Sequence, residues 1–220
     1  MFRMLEARRA TVAQALIGKL RWNAESSTLR RTLGNLLHLV RFGRYNPPTE
    51  DITMADKTLD DLFLDTLKDI YFAEKQVLKA LPKMARAAQS EEGKAAFLQH
   101  KEETEGQIER LQQIFELLGK PARGKTCEAI QGILAEGEEI IEEYKGSAAL
   151  DAGLISSAQA VEHYEIARYG TLKSWAEQLG HTEAAKLLEA TLQEEIATDA
   201  KLTQLGEGSA NTKASKKKAS

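Results

Sequence analysis

The sequence predicts an all-α protein, a four-helix bundle with a long helix-containing crossover between its second and third helices. Three observations carry this reading. Four long segments beyond residue 57 repeat apolar side chains at steps of three and four, the period of one helix face. The chain has only Pro47, Pro48, Pro82 and Pro121, so long helices are permitted. The connection between the second and third segments, residues 120–147, is far longer than the short loop that joins neighbours in a plain up-down bundle.

The first helix spans about Thr58 to Arg86. Thr58 followed three residues later by Asp61 has the form of a capping box. Phe63, Leu67, Ile70, Val77, Leu81 and Met84 mark its buried stripe, and Glu74 fills the one gap. Pro82 is expected to kink or restrict the last turn. Ser90 caps the second helix, with Glu91 and Glu92 in its first turn, and Gly119 ends it ahead of Pro121. Its inner stripe reads Ala96, His100, Glu103, Gln107, Leu111, Ile114 and Leu118. The crossover holds its own helix, Cys127 to about Tyr144, capped by Thr126. The third helix runs from about Leu150 to Leu179 and stops at Gly180. Thr182 caps the fourth, which reaches about Leu205 with Ala184, Leu188, Thr191, Glu195, Asp199 and Leu202 inward.

Both ends of the chain differ from this bundle of residues 54–206. Residues 1–53 carry nine Lys/Arg against four Asp/Glu, and residues 206–220 carry four against one. The middle, 54–205, is left with 17 against 28, an acidic balance that suits a domain handling cations and also serves solubility. The first 53 residues read as a basic extension. They lie upstream of a true start at Met54, or form a disordered or weakly helical arm, or least well a secretory signal, since Gln14 interrupts a short apolar run and no clear cleavage site follows. Residues 207–220 read as a disordered Lys-rich tail. Cys127 is the single cysteine among 220 residues, which excludes an internal disulfide and any zinc site built on several thiolates. A reducing, cytoplasmic setting is the simplest reading. No run of 18 apolar residues occurs, so no membrane span is expected.

The functional signal lies in the third helix. At about 100° per residue, Ala158, Glu162, Glu165 and Tyr169 fall on one narrow stripe, so two carboxylates point where leucines belong. A buried unpaired charge costs roughly several kcal/mol; two neighbours on one stripe ask for a cation. The other helices bring matching groups: Glu74, His100 with Glu103, and Glu195 with Asp199. Glu74 and Glu103 lie 29 residues apart, Glu162 and Glu195 33 apart, as expected of two pseudo-equivalent hairpins. Hard oxygen ligands from several helices are what a pair of iron or manganese ions requires. The usual Glu-x-x-His of such sites is absent from helices two and four; the second helix has the reverse, His100-x-x-Glu103. His163 is rotated off the stripe. A buried polar network without metal, in which Glu, His, Gln and Thr bond one another, is the competing expectation. Tyr71, Tyr164 and Tyr169 are placed to orient carboxylates, to carry a radical, or simply to pack.

The segments Asp69-Ile70-Tyr71-Phe72-Ala73-Glu74-Lys75-Gln76 and Ala80-Leu81-Pro82-Lys83-Met84 resemble the first helix of the YciE/YciF bacterial stress-protein family. His100-Lys101-Glu102-Glu103-Thr104 and Val161-Glu162-His163-Tyr164-Glu165 through Tyr169 resemble its second and third helices. The resemblance covers about residues 57–205. It implies a ferritin-like four-helix bundle, a homodimer and induction under osmotic or general stress, while leaving the biochemical activity poorly defined. Together these readings give a metal site of Glu74, His100, Glu103, Glu162, Glu165, Glu195 and Asp199 holding two iron or manganese ions. The expected role is stress defence, with O2 or peroxide oxidising Fe(II) if the site is catalytic. The alternative is a non-enzymatic structural or interaction protein. Nucleic-acid association through the tail is disfavoured: four lysines give only weak, salt-sensitive binding, and the acidic bundle opposes it.

Overall fold

The capping box at Thr58 forms. In the computed structural model, which describes residues 56–215, the Thr58 N–H donates to Asp61 Oδ2 (2.9 Å) and the Asp61 N–H donates to Thr58 Oγ1 (3.3 Å). The expected extension of residues 1–53, with Met54, and the last five residues of the tail lie outside the described residues. Helix α1 then runs Leu59–Ala87, continuing through Pro82. Its whole expected stripe is buried, Glu74 included. Ser90 Oγ accepts from the Gly93 N–H (3.2 Å) to start α2, Glu91–Leu117. Gly119 ends it at φ 63°, a left-handed value that glycine takes without strain.

The crossover helix α3 is Glu128–Glu143, followed by α4, Leu150–Gln178, and α5, Thr182–Leu205. Two expected caps are displaced by one residue. Cys127 rather than Thr126 occupies the cap position of α3, without a side-chain bond, because its Sγ turns inward to lie 3.0 Å from the Tyr164 hydroxyl. His181 rather than Thr182 precedes α5; its ring packs against Phe63 and its N–H bonds the Ala176 carbonyl (2.8 Å).

The α1–α2 and α4–α5 hairpins pack with α2 on α5 and α1 on α4, while α3 lies along α4 and α1. Asp151, in the first turn of α4, accepts from the Gln89 and Ser90 N–H groups at 2.7 and 2.9 Å. The first turns of α2 and α4 therefore sit at the same end of the bundle. The chain leaves α2 at one end and returns to the other before starting α4, the crossover of a ferritin-like fold.

The expected disordered tail from residue 207 needs correction up to residue 215. The chain passes from α5 through one wide turn of π-helix, Gly206–Ala210, into a short helix α6, Asn211–Ser215. Gly206 and Ala210 are buried, and a Cβ on Gly206 would sit 3.5 Å from Ile155 Cγ2. Small residues let this turn press on α4, a contact that apolar periodicity does not reveal.

A Cβ added at Gly153 of α4 would lie 2.6 Å from Ile140 Cγ2 of α3. Gly153→Ala is accordingly expected to destabilise the protein by about 1–3 kcal/mol through overpacking. Combining it with Ile140→Ala should recover part of that loss in a thermal melt, because the clash has one partner.

Candidate metal centre

Three helices deliver buried acids, and a fourth a buried histidine, to one level of the bundle. His100 of α2, Glu162 and Glu165 of α4 and Glu195 of α5 are all buried, and each offers a ligand atom within 4.8 Å of the others. Glu74 of α1 is fully buried beside them and accepts a hydrogen bond from the Tyr169 hydroxyl. His100 Nε2 is 3.2 Å from Glu162 Oε1. On the other side of the ring, Nδ1 is 3.6 Å from Glu103 Oε2.

Burial is the first reason that the Glu74, Glu165 and Glu195 carboxyls are all raised above the ordinary range. Repulsion from Glu195 raises Glu74 further, and Glu74, Glu195 and Glu162 all act on Glu165. Burial, then the charge of Glu195, pushes Glu162 up to about 11. Without a cation the cluster therefore holds protons, and Glu162 and Glu195 are placed to share one.

Direct contacts between these side chains do not complete a polar network. Among the described residues, Glu74 Oε2, Glu162 Oε2, both oxygens of Glu165, both of Glu195 and both ring nitrogens of His100 are buried without a hydrogen-bond partner. Buried polar atoms left unpaired cost about 1–3 kcal/mol each, so bridging water, protons or a cation must serve them. A metal pair fits this donor set: mostly hard oxygens with one imidazole, and four buried carboxylates whose charge equals that of two dications.

Two expected ligands stand apart. Glu103 is 30 % exposed, its carboxylate bonded by Gln99 Nε2 (2.8 Å) and Thr198 Oγ1 (3.4 Å). The His100 ring beside it, helped by the Gln99 and Thr198 hydrogen bonds, holds its carboxyl below the usual range. The inner stripe of α2 runs through Thr104 instead: at about 100° per residue, Glu103 lies roughly 60° around from His100 and Thr104 roughly 40° the other way. Thr104 is fully buried and donates to the His100 carbonyl (2.8 Å). Asp199 is 24 % exposed and outside the cluster; Gln159 Nε2 donates to it at 3.1 Å and His163 Nε2 lies 3.2 Å away. One turn beyond Glu195, it is rotated by roughly 40° toward the rim.

With this geometry in view, residues 58–215 match the family described as a domain of unknown function, DUF892. The chain belongs to this family. It is 49 % identical over 165 residues to Protein YciF of Escherichia coli, covering 74 % of this chain and 99 % of that protein. The crystal structure of the E. coli stress protein YciF superposes with a TM-score of 0.67, over 73 % of this chain and 99 % of the other. YcfI of Rhodopseudomonas palustris, to which a structural role has been ascribed, gives 0.66 at 46 % identity over 69 % and 97 %. A protein from Xanthomonas campestris gives 0.54 at 26 % identity over 68 % and 92 %. The YciF-like family and the helical bundle both agree with the sequence reading. No helix among the described residues is long and apolar enough to cross a membrane.

In this member of the family, two side chains support the site: Tyr169, which lies on the inward stripe of α4, and Arg110, which does not lie on the inward stripe of α2. Tyr169 was one of three tyrosines read as possible orienters, and it is the one that reaches a site carboxylate; Tyr71 accepts from Gln112 Nε2 (3.2 Å) and Tyr164 faces Cys127. Arg110 reaches from α2 to α5, forming a two-pronged bond with Glu194 and a third contact with Thr191 Oγ1 (3.0 Å). Gln107 Nε2 also donates to Glu194 (3.3 Å). The spacing of Arg110 to Gln107, three residues on one helix, was the only sequence signal for this network.

Raised folded-state pKa values fix the sign of the pH response. The metal-free protein binds more protons folded than unfolded between the ordinary value of 4.5 and about 11 for Glu162. Its stability from this source is complete below 4.5 and is lost as pH rises. Urea melts of chelator-treated protein should thus show a lower midpoint at pH 8 than at pH 5. Added Fe(II) under anaerobic conditions should remove that decline, because metal binding displaces the protons.

Proposed function

We propose that this chain is a ferritin-like stress protein whose bundle holds two iron or manganese ions. Glu74, His100, Glu162, Glu165 and Glu195 would hold them, with Glu103 at the edge, and the protein would oxidise Fe(II) with O2 or peroxide. The observation that supports this is the set of buried oxygens and nitrogens at one level of the bundle that no group among the described residues satisfies. When bound, the metal pair supplies redox chemistry toward O2 or peroxide. The chain's own part is to bind and to orient. Tyr169 fixes one oxygen of Glu74 and leaves the other free. Glu103, beside Nδ1, turns the His100 ring so that Nε2 faces Glu162, the arrangement in which an outer carboxylate orients a ligating imidazole. A role in stress defence follows the description of E. coli YciF as a stress protein. The single cysteine, reduced and buried, suits a cytoplasmic setting, and a homodimer belongs to the same reading.

A second reading is favoured by the structural role ascribed to YcfI: a metal that only ties the four helices together, in a protein that turns nothing over. Consumption of peroxide by Fe(II)-loaded protein freed of unbound iron, faster than by the same amount of Fe(II) alone, separates the two, since a purely structural metal adds nothing to that rate. Both readings need the metal. Glu162→Gln and Glu165→Gln are expected to weaken Fe(II) binding by more than the roughly 10–100-fold that a lost outer partner costs. Unchanged stoichiometry and affinity in both variants, read by anaerobic calorimetric titration, would refute the assignment.

A further inference from the structure

One face of the centre is open. Between α2, α4 and α5 lies a cavity of about 170 Å³ with His100 and Glu162 at its floor. Its walls are largely apolar, with Phe97 on one side and Ala158 and Leu202 on the others. This is too large for O2 or peroxide alone: one water occupies about 30 Å³, and a cavity of roughly 150 Å³ takes up benzene. At the mouth stand Lys201, which donates to Gln99 Oε1, and Glu103. Glu194, also at this face, is neutralised by Arg110.

We propose that this cavity binds an uncharged organic molecule about the size of a benzene ring, carrying one hydroxyl-type oxygen that is directed at His100 and Glu162. The inference deepens the metal-centre reading by naming the class of organic molecule that reaches the same site. Three observations select the class. The walls offer an apolar body its contacts, and burying apolar area is the main source of affinity in such a pocket. Among the described residues, Glu162 Oε2 and His100 Nε2 lack hydrogen-bond partners at the floor, and a hydroxyl, which both donates and accepts, can serve either. Charge excludes the obvious alternatives. A carboxylate would leave water for apolar walls and pass the ionised Glu103, and an ammonium would lose its hydration against the same walls. One lysine and one carboxylate balance the mouth, so it selects for neither sign.

A matched series tests this: phenol, benzoate and benzylamine share one ring and differ in charge. Each is titrated by NMR into the full-length protein, both metal-free and loaded with Fe(II) without oxygen. The expected result is saturable phenol binding in both forms, at least tenfold tighter than benzoate or benzylamine in the metal-free form, where no cation can coordinate the benzoate. Contacts from the phenol ring protons to Phe97 and the Leu202 methyls are expected in the same spectra. Ala197, exposed at the rim of the cavity, is replaced by Trp to fill the entrance, and phenol affinity should fall at least tenfold. The ring contacts in the unaltered protein decide the matter if that variant does not fold. Absence of saturable phenol binding, contacts elsewhere on the protein, equal affinity in a folded Ala197→Trp, or a preference for benzoate in the metal-free form would each overturn the proposal. Lost phenol binding beside a normal metal count sinks the pocket alone. Phenol binding beside a missing metal supports the pocket and sinks the centre.

Discussion

Four carboxyl groups share a dry layer in the middle of a helical bundle, and the rest of the structure answers to that. Taken into low dielectric, each ionised carboxylate costs roughly several kcal/mol unless paired, and like charges nearby add to it. Without metal the protein answers by keeping protons, which is why the carboxyls of Glu74, Glu162, Glu165 and Glu195 are all raised. Direct contacts among the described residues leave most of these oxygens without a partner. Two dications would offset the charge and serve the lone pairs at once.

The crossover makes this layer possible. By returning the chain along the bundle before α4 begins, it brings two hairpins together so that each supplies acids at the same height. The outer network then holds the acids still. Tyr169 of α4 reaches Glu74 of α1 across the hairpin boundary, and Arg110 of α2 grips Glu194 of α5. One bond ties α4 to α1 through the acid Glu74 itself, and the other ties α2 to α5 beside the cluster. The site is also asymmetric: closed by Tyr169 near Glu74, open to the cavity near His100 and Glu162. An oxidase reading needs such an opening more than a purely structural one does.

Much of this was legible in the residues. Helix number, the crossover, and the inward placement of Glu74, Glu162, Glu165 and Glu195 followed from a period of 3.6 and the terminators Gly119 and Gly180. Where the reading failed, it failed by a fraction of a turn. Glu103 and Thr104 are neighbours 100° apart on the wheel, and a polar stripe gives no apolar residue to decide between them. Asp199 was assigned inward because it follows Glu195 by four, yet Leu202 continues the buried line and Asp199 bonds Gln159 and His163 at the rim. Residues 207–215 looked structureless because Gly206 and Ala210 pack by being small, not by being apolar at regular intervals. Contacts between helices, such as Tyr169 to Glu74, depend on the relative rotation of two rods, which one-dimensional spacing does not encode.

Elemental analysis of the protein purified without chelator addresses the central claim most directly. The account predicts about two iron or manganese ions per chain, the number whose charge matches the four buried carboxylates. Protein that is well folded at neutral pH with no metal bound, and that takes none up from added Fe(II) or Mn(II), would contradict it.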